Sequence, residues 1–313
     1  MASRYLSGLA LLAALSCASL SACAQSTPTP SAETQAEEDD DSAEKYNAYV
    51  KAFNALNSMF YGSTKGMPDL LAKYKSQSIG GISLFGRKEP ILYLNISMLR
   101  NSVGALQEGT AIASSPSHYA KLEAAAKHML ANAAPLYKMG TTFESYVRSK
   151  KYLEDDYALA KAQDAEYVSR WEQLIQDHGA LGEELSVIER QDRIETVKRY
   201  RARGNHLNGA TAEAMLHASD LLNVFDEASD FRDAYKVKAG DQLAAKLEQA
   251  TEEIKLESEK TGINASRTQF RIFEVMNQFL GSYRELKRSC SDRAFESLVE
   301  HYNRAVRDFG RIR

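Results

Sequence analysis

The chain has 313 residues, 44% hydrophobic and 26% charged, with a formal net charge of −3. That proportion of apolar side chains supports a packed core and excludes wholesale disorder; the length suits one sizeable domain or two small ones. Charge this close to balance, with no dense basic stripe, excludes the electrostatic footprint of a nucleic-acid binder.

Residues 1–22 have the three-part layout of a secretory signal. Arg4 and the free amine supply positive charge. Leu6 to Leu20 is apolar or small, with Leu9, Leu11, Leu12 and Leu15 as its body, and Leu20-Ser21-Ala22 leads directly into Cys23. Two plainer readings stand beside this one. The segment could be an ordinary signal cut elsewhere, or an uncleaved span, since Leu6 to Ala24 approaches the roughly 20 apolar residues that a bilayer crossing needs. Leu20-Ser21-Ala22-Cys23 resembles the lipobox of bacterial lipoproteins. That resemblance implies diacylglycerol on the Cys23 sulfur, cleavage between Ala22 and Cys23, and acylation of the new amine. Several chains are needed because each buried methylene adds roughly 0.8 kcal/mol and one chain holds a protein only marginally. Cys17 follows Ala14-Leu15-Ser16 and lacks the aliphatic residue three places back. With Cys17 lost in the signal and Cys23 lipidated, Cys290 stands alone, so no internal disulfide is expected despite an oxidising compartment.

Residues 23–43 read as a lipidated, flexible acidic tether. They contain Ser, Thr, Pro, Ala and acid but no large apolar residue, so they cannot offset their ordering entropy. From Ala24 to Glu44 the acids Glu33, Glu37, Glu38, Asp39, Asp40, Asp41 and Glu44 are met by no basic residue. Setting aside those acids and Arg4 from the 42 acidic and 39 basic residues leaves a body close to neutral.

The body, residues 44–313, reads as helical throughout. Asp41 and Glu44 have capping-box spacing, and Tyr46, Tyr49, Val50, Phe53, Leu56 and Phe60 recur as one buried helix face. Gly62 and Gly66 end that helix, and Pro68 starts a short one through Leu70, Leu71 and Tyr74. Gly80-Gly81, Gly86 and Pro90 mark a loop. A helix follows from Ile91, with Ile96, Leu99, Val103 and Leu106 on its stripe. Ser114-Ser115-Pro116 signals the next start, and Pro135 closes or restarts that helix. The run from Tyr146 to Tyr157 leads without a strong breaker into residues 158–203, where Tyr167, Trp171, Leu174, His178, Leu181, Leu185 and Ile188 space like a coiled-coil seam. Taken as one helix, residues 157–203 would reach about 70 Å at 1.5 Å each. Gly179 and Gly182, each costing about 1 kcal/mol in a helix interior, mark where it would kink or break.

Tyr46-Asn47-Ala48-Tyr49 with Asn54, the run Lys151-Tyr152-Leu153-Glu154-Asp155-Asp156, and His301-Tyr302-Asn303 resemble the YiiG-like family of bacterial lipoproteins across residues 44–309. The resemblance implies a helical envelope lipoprotein of unknown function and brings no catalytic residues. Downstream, Gly204-Asn205 ends the long helix and Thr211 caps the next, whose face is Met215, Leu222, Phe225, Ala228 and Phe231. Gly240-Asp241 begins another with Leu243, Leu247, Ala250 and Ile254. Gly262-Ile263-Asn264 is a turn, followed by Phe270, Phe273, Met276, Leu280 and Tyr283. Ser291 or Asp292 caps the last helix, with Phe295, Leu298, Tyr302, Val306 and Phe309 on one stripe. The expected fold is an elongated all-α body of about eight helices, one of them very long, in one bundle or two stacked bundles.

The sequence offers little chemistry. No Glu-x-x-His or His-Glu-x-x-His pattern occurs to hold a metal, and there is no nucleophile elbow, Walker loop or dinucleotide fingerprint. No cofactor or metal is expected. Glu154, Asp155 and Asp156 read as a solvated face, and His178 as a hydrogen-bonded core histidine. Lys198, Arg199, Arg201 and Arg203 form the one basic patch; a helix C-terminus favours cations by its dipole alone, and an anionic ligand is the alternative. The expected protein is a lipid-anchored envelope protein facing the periplasm, non-enzymatic, working as scaffold or binding module toward an envelope protein or glycan. The outer membrane is preferred because Ala24, not Asp, follows Cys23. The alternative is a small-ligand carrier or enzyme whose site, including Arg199 or His178, forms only between helices.

Overall fold

The computed structural model describes residues 30–57, 66–76, 95–113, 117–262 and 266–312. The signal, Cys23, Phe60, the glycine loop at 80–86, Ser114-Ser115-Pro116 and the turn at 263–264 lie outside the described residues. Within them the chain forms nine α-helices and no strand, the all-helical class its apolar spacing dictates. None of these helices is long and apolar enough to cross a membrane. The described residues divide into two compact units, one ending at Leu185 and one beginning at Ser186.

The first unit contains α1 (Pro30–Asn57), α2 (Met67–Ser76), α3 (Ile96–Ala111), α4 (Ala120–Arg148) and the first part of α5 (Ala158–Ala202). Helix α1 starts at Pro30, not near Asp41, so residues 30–43 are helical where a tether was expected. Proline suits a first helical position, where no N–H is needed and φ is preset. Tyr49, Val50, Phe53 and Leu56 are buried as their spacing requires, and α1 packs on α3, which packs on α4. Helix α3 begins at Ile96 because the Asn95 carboxamide accepts the backbone N–H groups of Ser97 (3.1 Å) and Met98 (3.2 Å). Contrary to expectation, α4 runs through Pro135. The ring costs the helix a backbone bond, but Met129, Ala133, Leu136 and Phe143 are buried on both sides of it and hold the two flanks in one core.

The uninterrupted run expected after Tyr146 is broken between Arg148 and Ala158. Lys150, Asp156 and Tyr157 adopt φ of 57°, 49° and 63° there, a conformation that disfavours side chains with a Cβ. Local bonds hold the turn. Tyr152 is buried and stacks on Tyr157 with ring centroids 5.2 Å apart, and the Tyr146 hydroxyl donates to the Asp155 carboxylate. Asp155 also accepts the backbone N–H groups of Tyr157, Ala158 and Leu159, capping α5, and with the Tyr146 phenol these hold its carboxyl below the usual range.

Helix α5 is continuous through Gly179 and Gly182. At Gly182 a Cβ would lie 2.6 Å from Cε2 of Phe53, so glycine here admits the Phe53 ring against the helix backbone and the break does not occur. Tyr167, Trp171, Leu174, His178, Leu181 and Leu185 are all buried along the seam.

The second unit contains the rest of α5, α6 (His206–Leu222), α7 (Ala234–Thr261), α8 (Arg267–Ser289) and α9 (Asp292–Phe309). Helix α6 packs on α7, α7 on α8, and α8 on α9. Two starts differ from expectation. Asn205, not Thr211, caps α6 by accepting the Asn208 N–H at 3.1 Å; Thr211 is buried within the helix and donates to the Leu207 carbonyl at 2.7 Å. Asp233 caps α7 through the N–H groups of Tyr235 (2.8 Å) and Lys236 (3.3 Å), which leaves Gly240 inside the helix. A Cβ at Gly240 would stand 2.7 Å from the Tyr283 hydroxyl and 2.8 Å from Phe225 Cζ. The stripe from Met215 to Phe231 spans more than one element: α6 stops at Leu222, and Phe231 lies on a short 3-10 turn, stacked on Phe225 at 3.9 Å. Ser291 caps α9, in which Phe295, Leu298, Tyr302 and Val306 are buried.

Candidate functional site

A groove of about 430 Å³ opens between the start of α3 and the middle of α4, lined by Asn95, Ile96, Ser97, Arg100, Tyr137, Thr141 and Glu144. Helical spacing builds it. Ile96 and Arg100 are one turn apart on α3, and Tyr137, Thr141 and Glu144 follow at i, i+4 and i+7 on one face of α4. Gly140 makes the close approach possible, because a Cβ there would collide with Cδ1 of Ile96. Several lining groups are already engaged. Asn95 caps α3, the Thr141 hydroxyl donates to the Lys138 carbonyl at 2.8 Å, and Glu144 Oε1 accepts from Arg148 at 2.7 Å. Arg100 and Tyr137 make no side-chain hydrogen bond or ion pair among the described residues.

The basic patch does not form one open anion cradle. Lys198 pairs with Glu195 at 3.0 Å. The Arg199 guanidinium lies 5.9 Å from the Tyr200 ring centroid and 3.4 Å from the Thr196 hydroxyl. Arg201 bridges Glu213 and Glu253, each at 2.7 Å through Nη2, and those carboxylates push its pKa above the ordinary arginine value. Arg203 is exposed just past the end of α5. The patch thus holds both signs, because α6 and α7 supply the carboxylates that Arg201 bonds.

His178 lines no groove. Its ring stacks on Phe53 at 4.2 Å and 3°, and Nε2 lies 3.1 Å from the Phe53 carbonyl. Burial pushes its pKa down to about 4, so it is a neutral core donor. Of the three adjacent acids, Asp155 caps α5 and Asp156 pairs with Lys161 at 3.0 Å. His301 Nδ1 lies 3.0 Å from the Ser282 hydroxyl, joining α9 to α8.

Two polar clusters escape sequence reasoning. His128 Nδ1 lies 2.8 Å from Asp177 Oδ1, which also accepts from Gln173 at 2.8 Å; the Asp177 side chain is 4% exposed and that of His128 68%. Buried Arg193 donates to the Met215 carbonyl at 3.0 Å and to Glu189 at 2.5 Å, with the Tyr302 ring centroid 5.9 Å from its Cζ. The i, i+4 spacings of Gln173 with Asp177 and of Glu189 with Arg193 were the only local signals; His128, Met215 and Tyr302 come from far along the chain. Among the described residues no group of three or more His, Cys, Asp or Glu is placed to hold a metal ion.

Comparison of the chain with curated proteins and with solved structures finds no match. A family model does match, and it covers residues 40–307, spanning most of both units. By that match the chain belongs to the family described as a protein of unknown function (DUF3829), here an all-helical domain.

Proposed function

We propose that this chain is a lipoprotein of the bacterial cell envelope, tethered through acyl chains on Cys23, whose helical body faces the periplasm as a non-enzymatic scaffold or binding module. The observation that carries the reading is the sequence Leu20-Ser21-Ala22-Cys23 behind an apolar signal; the YiiG-like motifs support it. Ala24 in place of Asp favours the outer membrane. The buried apolar faces of both units and the pairing of Lys198 and Arg201 with carboxylates of the same unit suit a body that works through its surface.

Replacing Cys23 with Ser tests the anchor. The wild-type chain should sediment with membranes, leave them only in detergent and take up labelled palmitate, whereas C23S should be unlabelled. Equal labelling and equal membrane retention of the variant would refute the assignment. Hydrolysis of envelope polymers by the purified chain would refute the non-enzymatic part. The groove between α3 and α4 favours a second reading, a small-ligand carrier, because pockets of about 300–1,000 Å³ with a few convergent polar groups are the usual form of a ligand site.

A further inference from the structure

The groove presents a cation and an anion to the same occupant. Arg100 stands on α3 and Glu144 on α4, both line the cavity, and no ion pair joins them among the described residues. Among the described residues Arg100 has no partner of its own and the Glu144 carboxylate receives one bond, from Arg148 to Oε1, which leaves Oε2 for another donor. Tyr137 and Ile96 add an aromatic and an aliphatic wall. An inorganic anion is a poor fit, since Asn95 already accepts N–H groups at the start of α3 and Glu144 adds negative charge. A simple cation would meet the Arg100 charge.

We propose that the groove binds a short peptide zwitterion, its carboxylate on Arg100 and its ammonium on Glu144. A guanidinium accepts a carboxylate in a two-bond fork, and charge-assisted bonds of this kind are roughly twice as strong as neutral ones. A cavity of about 430 Å³ accommodates a di- or tripeptide. The inference rests on the binding-module part of the proposed function and is independent of the lipid anchor.

The full chain, solubilised in detergent, is titrated calorimetrically with L-alanyl-L-alanine, with its N-acetyl form and with its C-terminal amide. The free dipeptide should bind, and blocking either end should weaken binding by about tenfold or more. Arg100→Ala should abolish the preference for the free carboxylate, and Glu144→Gln the preference for the free ammonium. Both side chains are exposed, and circular dichroism of each variant establishes that it folds. Gly281→Ala, on an exposed face of α8 and not among the groove residues, should bind as wild type. Absence of dipeptide binding, or binding that neither variant alters, overturns the assignment. If that result comes with intact palmitate labelling at Cys23, only the groove reading fails.

Discussion

Acidification from pH 7 to 4 should unlock α1 from α5 at His178. The ordinary imidazole value is 6.5, and burial against Phe53 lowers it to about 4. Between those values the unfolded chain binds a proton that the folded chain refuses. Stability contributed by the neutral ring is therefore complete above pH 6.5 and is lost progressively as pH falls toward 4. At about 1.4 kcal/mol per pKa unit, the loss approaches roughly 3 kcal/mol. Asp155, Asp230, Asp241 and Glu253 are also held below their usual values, so acid weakens the protein through them as well. Subtraction removes that background. His178→Gln keeps a donor for the Phe53 carbonyl and does not titrate. Urea unfolding followed by circular dichroism at half-unit pH steps should show the wild type losing about 3 kcal/mol more than the variant. Parallel curves for the two proteins would refute the reasoning, as would an NMR titration of the His178 ring near its ordinary value.

Glycine substitutions should split by what surrounds the missing Cβ. Gly182→Ala drives a methyl toward Phe53 and should cost about 1–3 kcal/mol despite better helix propensity, whereas Gly281→Ala, with nothing within 4 Å, should gain up to about 1 kcal/mol; chemical denaturation measures both. Arg193→Ala leaves Glu189 facing the core without its guanidinium and should cost about 3 kcal/mol or more, while Arg193→Met should recover part of that loss in the same assay. Cys23→Ser should move the chain out of the membrane fraction with its helical signal unchanged, and full membrane retention would overturn the anchor.

Periodicity exposed the buried faces because burial repeats every three or four residues. Tyr49 to Leu56 on α1, Tyr167 to Leu185 on α5 and Phe295 to Val306 on α9 are all buried as spaced. Boundaries were less legible, because several residues competed to cap each helix. Thr211 and Asp241 have the right chemistry, but Asn205 and Asp233 stand one residue before the helix and accept its first N–H groups. Glycine misled for a different reason. Gly182 and Gly240 look like breakers, yet each is small so that an aromatic side chain from another segment, Phe53 at the first and Phe225 with the Tyr283 hydroxyl at the second, can lie against its backbone. The groove had no sequence signature, since Arg100 and Glu144 come together only through the packing of α3 on α4.

Trp171 is the only tryptophan in the chain. It is fully buried, with the rings of Tyr167 and Tyr74 both 5.8 Å away, in the unit that ends at Leu185. Its emission maximum is therefore a private reporter for that half, blue in the native state and red once water reaches the indole. The far-ultraviolet helical signal sums over both halves. One denaturant series recorded at the two wavelengths distinguishes a protein that melts as one body from one that melts in two steps, without labelling or cutting the chain.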